Sequence, residues 1–256
     1  MRHLAALLLA AGLILCVASS TRAQTEITLL SPNPIQETIN KLVADFQAKS
    51  GTKVKITYGT GVSTRRDVAA GKAQDVSLMF SPFPEALRTG NIDKSTATVI
   101  ARMRLAIAVK KGAPKPDIST PDAVRRTLLN AKSIISVDPE QGSVGTAVLL
   151  ALDKLGLTQQ LKPKIKWVPT GGVVQDSVAK GESEIAFGPY LSDMRNPGLD
   201  VVGALKPDAA PPIDVTGFIS TMPSNRQAAR ALLDYLASPE VTPEYHAAKM
   251  FAASDK

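Results

Sequence analysis

The sequence predicts an α/β protein in which mostly parallel sheets are flanked by helices. Three observations carry that expectation. Short apolar, strand-like runs alternate with segments of helical period from residue 27 onward. The joints between them hold glycine, proline and helix-capping residues. A 44% hydrophobic and 21% charged composition is enough to build a packed core. At 256 residues the chain is long enough for two domains of ordinary size.

The elements follow in order. Ile27 to Leu30 reads as a short strand, and the turn SPNP follows it. Asn33 is placed as N-cap, Pro34 at the first helical position and Gln36 two residues later, a capping-box arrangement. Ile35, Ile39, Leu42, Val43 and Phe46 then recur at helical spacing until Gly51. Val54, Ile56 and Tyr58 alternate as a strand and lead into YGTGVSTRRDVAAGKAQDV, residues 58–76. Within it Gly59 and Gly61 leave the backbone uncovered, and Ser63 or Thr64 can cap the helix that stops at Gly71. Val76 to Phe80 is the next strand, and a helix with Ala86 and Leu87 runs to Gly90. Thr98 to Val109 is long for one strand and reads as passing from a first domain into a second.

The second half repeats the rhythm. Thr120-Pro121 starts a helix, and Ser133 to Val137 is a strand of the buried type. The turn DPEQGSVG, residues 138–145, precedes a helix with Val148, Leu149, Leu152 and Leu155 on one face and Gly156 as its C-cap. Ser143 reads as a helix cap that also presents its own amide. Ile165 to Val168 is a strand, TGG a turn, and Val173 to Lys180 a helix ended by Gly181. Ile185 to Phe187 is a strand before the turn GPYLSDM, Val201-Val202 an edge, and Val215 to Ser220 a returning strand. Ser224 with Gln227 forms a second capping box, and Ser238-Pro239 opens the last helical segment.

Four polar turns therefore sit between a strand and a helix N-terminus: Ser31 to Pro34, Gly59 to Thr64, Gln141 to Gly145, and Thr170 to Val173. In open α/β sheets such turns lie at the carboxyl ends of strands, where ligands bind. Exposed amides and the helix dipole suit an anion without any charged side chain. Two turns fall in each half, so a cleft between two domains is the economical geometry.

Composition excludes several classes. The formal net charge is +7, but aromatic residues are only 4% and no basic run is interleaved with them, so no nucleic-acid partner is expected. Residues 1–23 read as a secretory signal, with Arg2 and His3 ahead of an apolar run and a Thr-Arg-Ala close. Its removal leaves a charge of about +5. Cys16, the only cysteine, lies inside that run, so the exported chain is expected to use neither disulfide nor thiol, and no metal or cofactor is expected. No Ser/His/Asp or Cys/His pattern and no phosphate loop is present, which favours a binding protein over an enzyme. His246 stands near the C-terminus without a catalytic partner in the sequence.

At this point ITLLS, the 58–76 stretch, VDPEQGSVGTAVLLALDKLG, GESEIAFGPYLSD and ALLDYLASPE, in that order, make the chain resemble the periplasmic molybdate-binding protein family. These are type II solute-binding proteins of ABC transporters. The resemblance implies two α/β lobes joined by two crossing strands, residues 24–103 plus 216–256 forming one and 104–215 the other. It implies a monomer in the periplasm that binds a small anion and delivers it to a membrane permease. The ligand set it implies, with the turns above, comprises Asn33, Thr60, Gly61, Val62 and Ser63 in the first lobe. Ser143, Val144, Val173 and Tyr190 complete it in the second, and Arg65 is a candidate clamp for a carboxylate. Pro34 and Gly61 stand where the family places serines. Each missing donor to a buried anion costs roughly 1.5–3 kcal/mol, which favours an organic carboxylate or an atypical oxyanion over molybdate. The family also resembles a periplasmic aconitate isomerase, so isomerisation of a tricarboxylic acid is the rival expectation.

Overall fold

The structure, a computed structural model, describes residues 25–72, 74–191 and 196–255. The expected signal segment and Cys16 lie outside the described residues. Among the described residues eleven strands form two sheets. The six-stranded sheet holds β1 (Glu26–Pro32), β2 (Lys53–Gly59), β3 (Val76–Phe80), β4 (Ile92–Met103), β10 (Ile213–Ser220) and β11 (Phe251–Ala252). Its order is β11-β4-β10-β3-β1-β2. The five-stranded sheet holds β5 (Leu105–Lys110), β6 (Ile134–Val137), β7 (Ile165–Val168), β8 (Ile185–Pro189) and β9 (Leu199–Ala204), ordered β7-β6-β8-β5-β9.

The α/β class holds, but the sheets are mixed rather than mostly parallel. β1 pairs in parallel with β2 and β3, and β6 with β7 and β8, as right-handed crossovers demand. The strands that carry the chain between sheets run the other way. β10 is antiparallel to β3 and β4, and β5 to β8 and β9. The long apolar run is two strands, β4 and β5, separated only by Arg104 and belonging to different sheets. The return passes from β9 to β10 through residues 205–212. Backbone bonds tie the crossing: the Tyr190 amide donates to the Arg104 carbonyl and the Leu205 amide to the Leu105 carbonyl, both at 2.7 Å.

Helices cover the sheets through apolar stripes. In α1 (Gln36–Ser50) Ile39, Leu42, Val43 and Phe46 are buried, and Gly51 ends it at φ +70°. Each such side chain contributes roughly 1.5–3 kcal/mol on burial. α8 (Arg226–Leu236) buries Ala229, Leu232, Leu233 and Leu236 against β10 and β4. The other helices are α2 (Gly61–Ala69), α3 (Pro84–Leu87), α4 (Pro121–Asn130), α5 (Ser143–Lys154), α6 (Thr158–Leu161), α7 (Gly171–Lys180) and α9 (Thr242–Ala247).

Several caps differ from expectation. β1 continues to Pro32, so Asn33 opens a 3-10 turn (Asn33–Ile35) and makes no side-chain cap. Thr60, not Ser63 or Thr64, caps α2; the Ser63 and Thr64 hydroxyls donate back to the Thr60 and Gly61 carbonyls at 3.2 Å each. Asn225 rather than Ser224 caps α8, accepting from the Ala228 amide at 2.9 Å. Gly142 precedes α5, and the Ser143 hydroxyl is free of capping.

Candidate functional site

All of the parallel strands in both sheets point their carboxyl ends at one place. At or beyond the ends of β1, β2 and β3 lie Pro34, Gly61 and Phe80, and across from them lie Val137, Pro169 and Leu191 after β6, β7 and β8. The cavity they enclose has a volume of 330 Å³. This is where open α/β sheets bind ligands. A larger hollow of 680 Å³, lined in part by Lys110, Arg126 and Glu184, lies at the opposite ends of β6 and β8, where none of the four turns reaches it.

Local chemistry aims the donors. Thr60 Oγ1 accepts from the Ser63 amide at 3.0 Å, and Thr170 Oγ1 from the Val173 amide at 3.4 Å, so α2 and α7 both begin at the cavity wall. Asp138 folds the turn before α5. Its Oδ1 accepts from the Glu140 amide at 2.8 Å, and its carbonyl from the Gln141 and Gly142 amides at 3.0 and 2.9 Å. Gly145 is needed there, because a Cβ would stand 2.2 Å from the Val137 carbonyl oxygen. The first amides of a helix have no helical acceptor, so three N-termini at one cavity create a field that favours negative charge. Among the described residues that line it none is charged. Asn33, Gln141, Ser143 and Gln175 supply neutral polar groups, while Phe80, Val137, Val144 and Leu191 supply apolar wall.

The expected ligand set divides. Asn33, Thr60, Gly61, Ser143 and Val144 line the cavity. Val62 is 3% exposed and turned into the core, and Ser63 is committed to the α2 cap. Val173 is exposed, with its amide bound to Thr170 rather than open to the cavity. Tyr190 falls at the crossing: its ring lies 5.3 Å from Lys249 Nζ and does not line the cavity. Pro189, which ends β8, and Leu191 line the cavity on either side of it.

Arg65 is also placed differently from a clamp. Its side chain is only 12% exposed, and Nε lies 2.6 Å from Glu85 Oε1 as an ion pair without hydrogen-bond alignment. Nη1 donates to the Pro82 carbonyl at 3.1 Å and to Ser143 Oγ at 3.3 Å. The guanidinium therefore joins the two halves behind the wall. Arg66 is exposed. Phe80, Gln175 and Leu191 were not anticipated; Phe80 ends a strand and Gln175 lies one turn into α7, so only strand-end position could have marked the former.

Two α/β lobes meeting over helix N-termini define a solute-binding protein. Residues 27–248 match the family described as bacterial extracellular solute-binding protein, and the chain belongs to it. It is similar to aconitate isomerase of Pseudomonas sp, with 31% identity over 93% of this chain and 90% of that protein. It is also similar to the molybdate-binding protein ModA of Azotobacter vinelandii, with 28% identity over 91% of each. Its fold is similar to that of the Azotobacter vinelandii periplasmic molybdate-binding protein, at TM-score 0.67 and 17% identity, covering 89% of this chain and 100% of that one. The sulfate-binding protein SubI from Mycobacterium tuberculosis H37Rv gives TM-score 0.71 and 18% identity, over 90% and 88%.

Proposed function

We propose that the chain is an exported binding protein that closes on a small organic anion bearing carboxylates and delivers it to the membrane permease of an ABC transporter. The observation that supports this best is the convergence of three helix N-termini on a cavity whose described lining is free of charge. Such a site holds an anion by amides and dipoles. The apolar wall suits a carbon skeleton. A cavity of 330 Å³ has room for a carbon skeleton beside its anionic groups. Pro34 and Gly61 offer no hydroxyl, which argues in the same direction. The 31% relative is named for aconitate, a tricarboxylate, and the 28% relative for molybdate, so an anion is common to both.

In this reading residues 1–23 are a leader removed on export to the periplasm. Residues 24–103 with 213–256 form one lobe of a monomer and 105–204 the other, hinged at Arg104 and residues 205–212; the boundary moves from 216 to 213 because β10 already pairs with β4 at Ile213. Closure brings the two sets of turns together on the ligand. No cofactor is required.

Isomerisation of a tricarboxylate is the second reading, favoured by the 31% relative. Proton transfer needs a base within hydrogen-bond reach, and none of the described lining residues carries one, so binding stands first. A thermal-shift panel of molybdate, tungstate, sulfate, phosphate and di- and tricarboxylates tests the proposal. Ligand at a hundred times its Kd stabilises by about 2.7 kcal/mol. A shift with tricarboxylate and none with molybdate is expected; no shift with any anion overturns the proposal. Appearance of a second isomer by NMR would place the protein among the enzymes.

A further inference from the structure

Gly61 stands where a side-chain hydroxyl is expected, and its surroundings say what has taken that place. A Cβ built on Gly61 would lie 2.6 Å from Ser143 Oγ, 3.0 Å from Ser143 Cβ and 2.9 Å from Phe80 Cδ2. The space beside residue 61 is therefore filled from the opposite lobe by the first side chain of α5, and from its own lobe by the Phe80 ring. Ser143 is 1% exposed and lines the cavity. Its Oγ accepts from Arg65 Nη1 at 3.3 Å, and its own proton has no acceptor among the described residues. A hydroxyl that accepts from a guanidinium has its proton turned away from that cation. A buried donor left without a partner is costly, so this one is expected to be satisfied by something that enters the cavity.

We infer that Ser143 supplies, from the far side of the cleft, the ligand hydroxyl that residue 61 lacks, and that Arg65 is the positioning residue that aims it. The inference rests on the cleft being the anion site. Gly61 has a defined part in it, because any side chain there would collide with Ser143 and hold the lobes apart. Glu85, at 2.6 Å from Nε, fixes Arg65 on its own lobe, so that closure brings Ser143 to a guanidinium already in place. Arg65 thereby contributes to ligand selection without touching the ligand. The donor becomes available only when the lobes approach.

Titration of trans-aconitate into the wild type and variants of the chain tests this. Ser143→Ala is expected to bind about ten- to a hundredfold more weakly, the loss of one hydrogen bond to a charged group. Arg65→Met should weaken binding in the wild-type background and have no further effect in Ser143→Ala. A merely structural arginine would weaken both equally, and that outcome overturns the inference, as does wild-type affinity in Ser143→Ala. Spin labels at Cys substituted for Lys53 and Lys166, both exposed, report the lobe separation without any ligand. Gly61→Ala should lengthen that distance, and an unchanged distance overturns the part assigned to Gly61. If the wild type binds no anion at all, the anion-binding proposal fails, while the distance measurement still decides the collision.

Discussion

Asp75 is 6% exposed and joins three segments that are distant in sequence. Its carboxylate accepts from the Thr28 amide at 2.7 Å, the Thr28 hydroxyl at 2.8 Å, and the Ser224 amide. Burial raises its pKa, but the donors from Ser224 and Thr28 outweigh burial and hold it below its usual value of 3.8. A carboxyl depressed in the folded state adds stability that is complete above about pH 4 and is lost as the pH falls through the folded value. Asp75→Asn places an amide against at least one of these donors and is expected to cost about 2–3 kcal/mol, measured by urea unfolding at pH 7. The cost should shrink as the pH falls from 3.8 toward the folded value, since the unfolded chain's carboxyl then takes up a proton that the folded one still excludes. No sequence pattern announced Asp75, because its partners lie 47 and 149 residues away. His246 is similar: it pairs with Asp255 at 2.8 Å, a contact set by the C-terminal turn and remote from the cavity.

At the scale of the element, three threonine caps permit a clean comparison. Thr60, Thr120 and Thr170 each accept from an amide three residues on, but only Thr60 and Thr170 border the cavity. Alanine at each should cost about 1 kcal/mol of stability, or roughly 2–4 °C in Tm for a chain of this size. Only Thr60→Ala and Thr170→Ala should also weaken anion binding, whereas Thr120→Ala should bind as wild type by calorimetry. Gly145→Ala drives a methyl into the Val137 carbonyl and is expected to shift the start of α5, costing about 3 kcal/mol and lowering affinity. A cap of this kind was legible where Thr preceded a Pro, at 120, whereas at Thr170 the sequence reads a turn and starts the helix at Val173, two residues late. Caps were misread by one to three residues at Asn33, Ser63 and Ser224. There the cap is decided by where the strand ladder or loop releases the chain, which is not a local property.

For the molecule as a whole, the strand–helix alternation gave the α/β class and the four turns gave the face at which the cavity lies. Strand direction was not legible in β4, β5, β9 and β10, because an apolar run reads the same whether it crosses a sheet parallel or antiparallel. The approach of Gly61 to Ser143 was hidden for a related reason, since it depends on how one lobe meets the other across 82 positions of sequence. Local turn chemistry placed Thr60, Gly61 and Val144 at the cavity. It could not foresee that Arg65 would be held by Glu85 and Pro82. The closed arrangement should be more compact than the open one, and scattering with and without trans-aconitate should show a smaller radius of gyration in its presence.

The central claim is that the cleft holds an organic carboxylate through neutral donors. Isothermal titration of residues 24–256 with trans-aconitate and, separately, with molybdate tests it most directly. One tricarboxylate should bind per chain, with molybdate binding far more weakly. Tight molybdate binding with no heat from any carboxylate would contradict it.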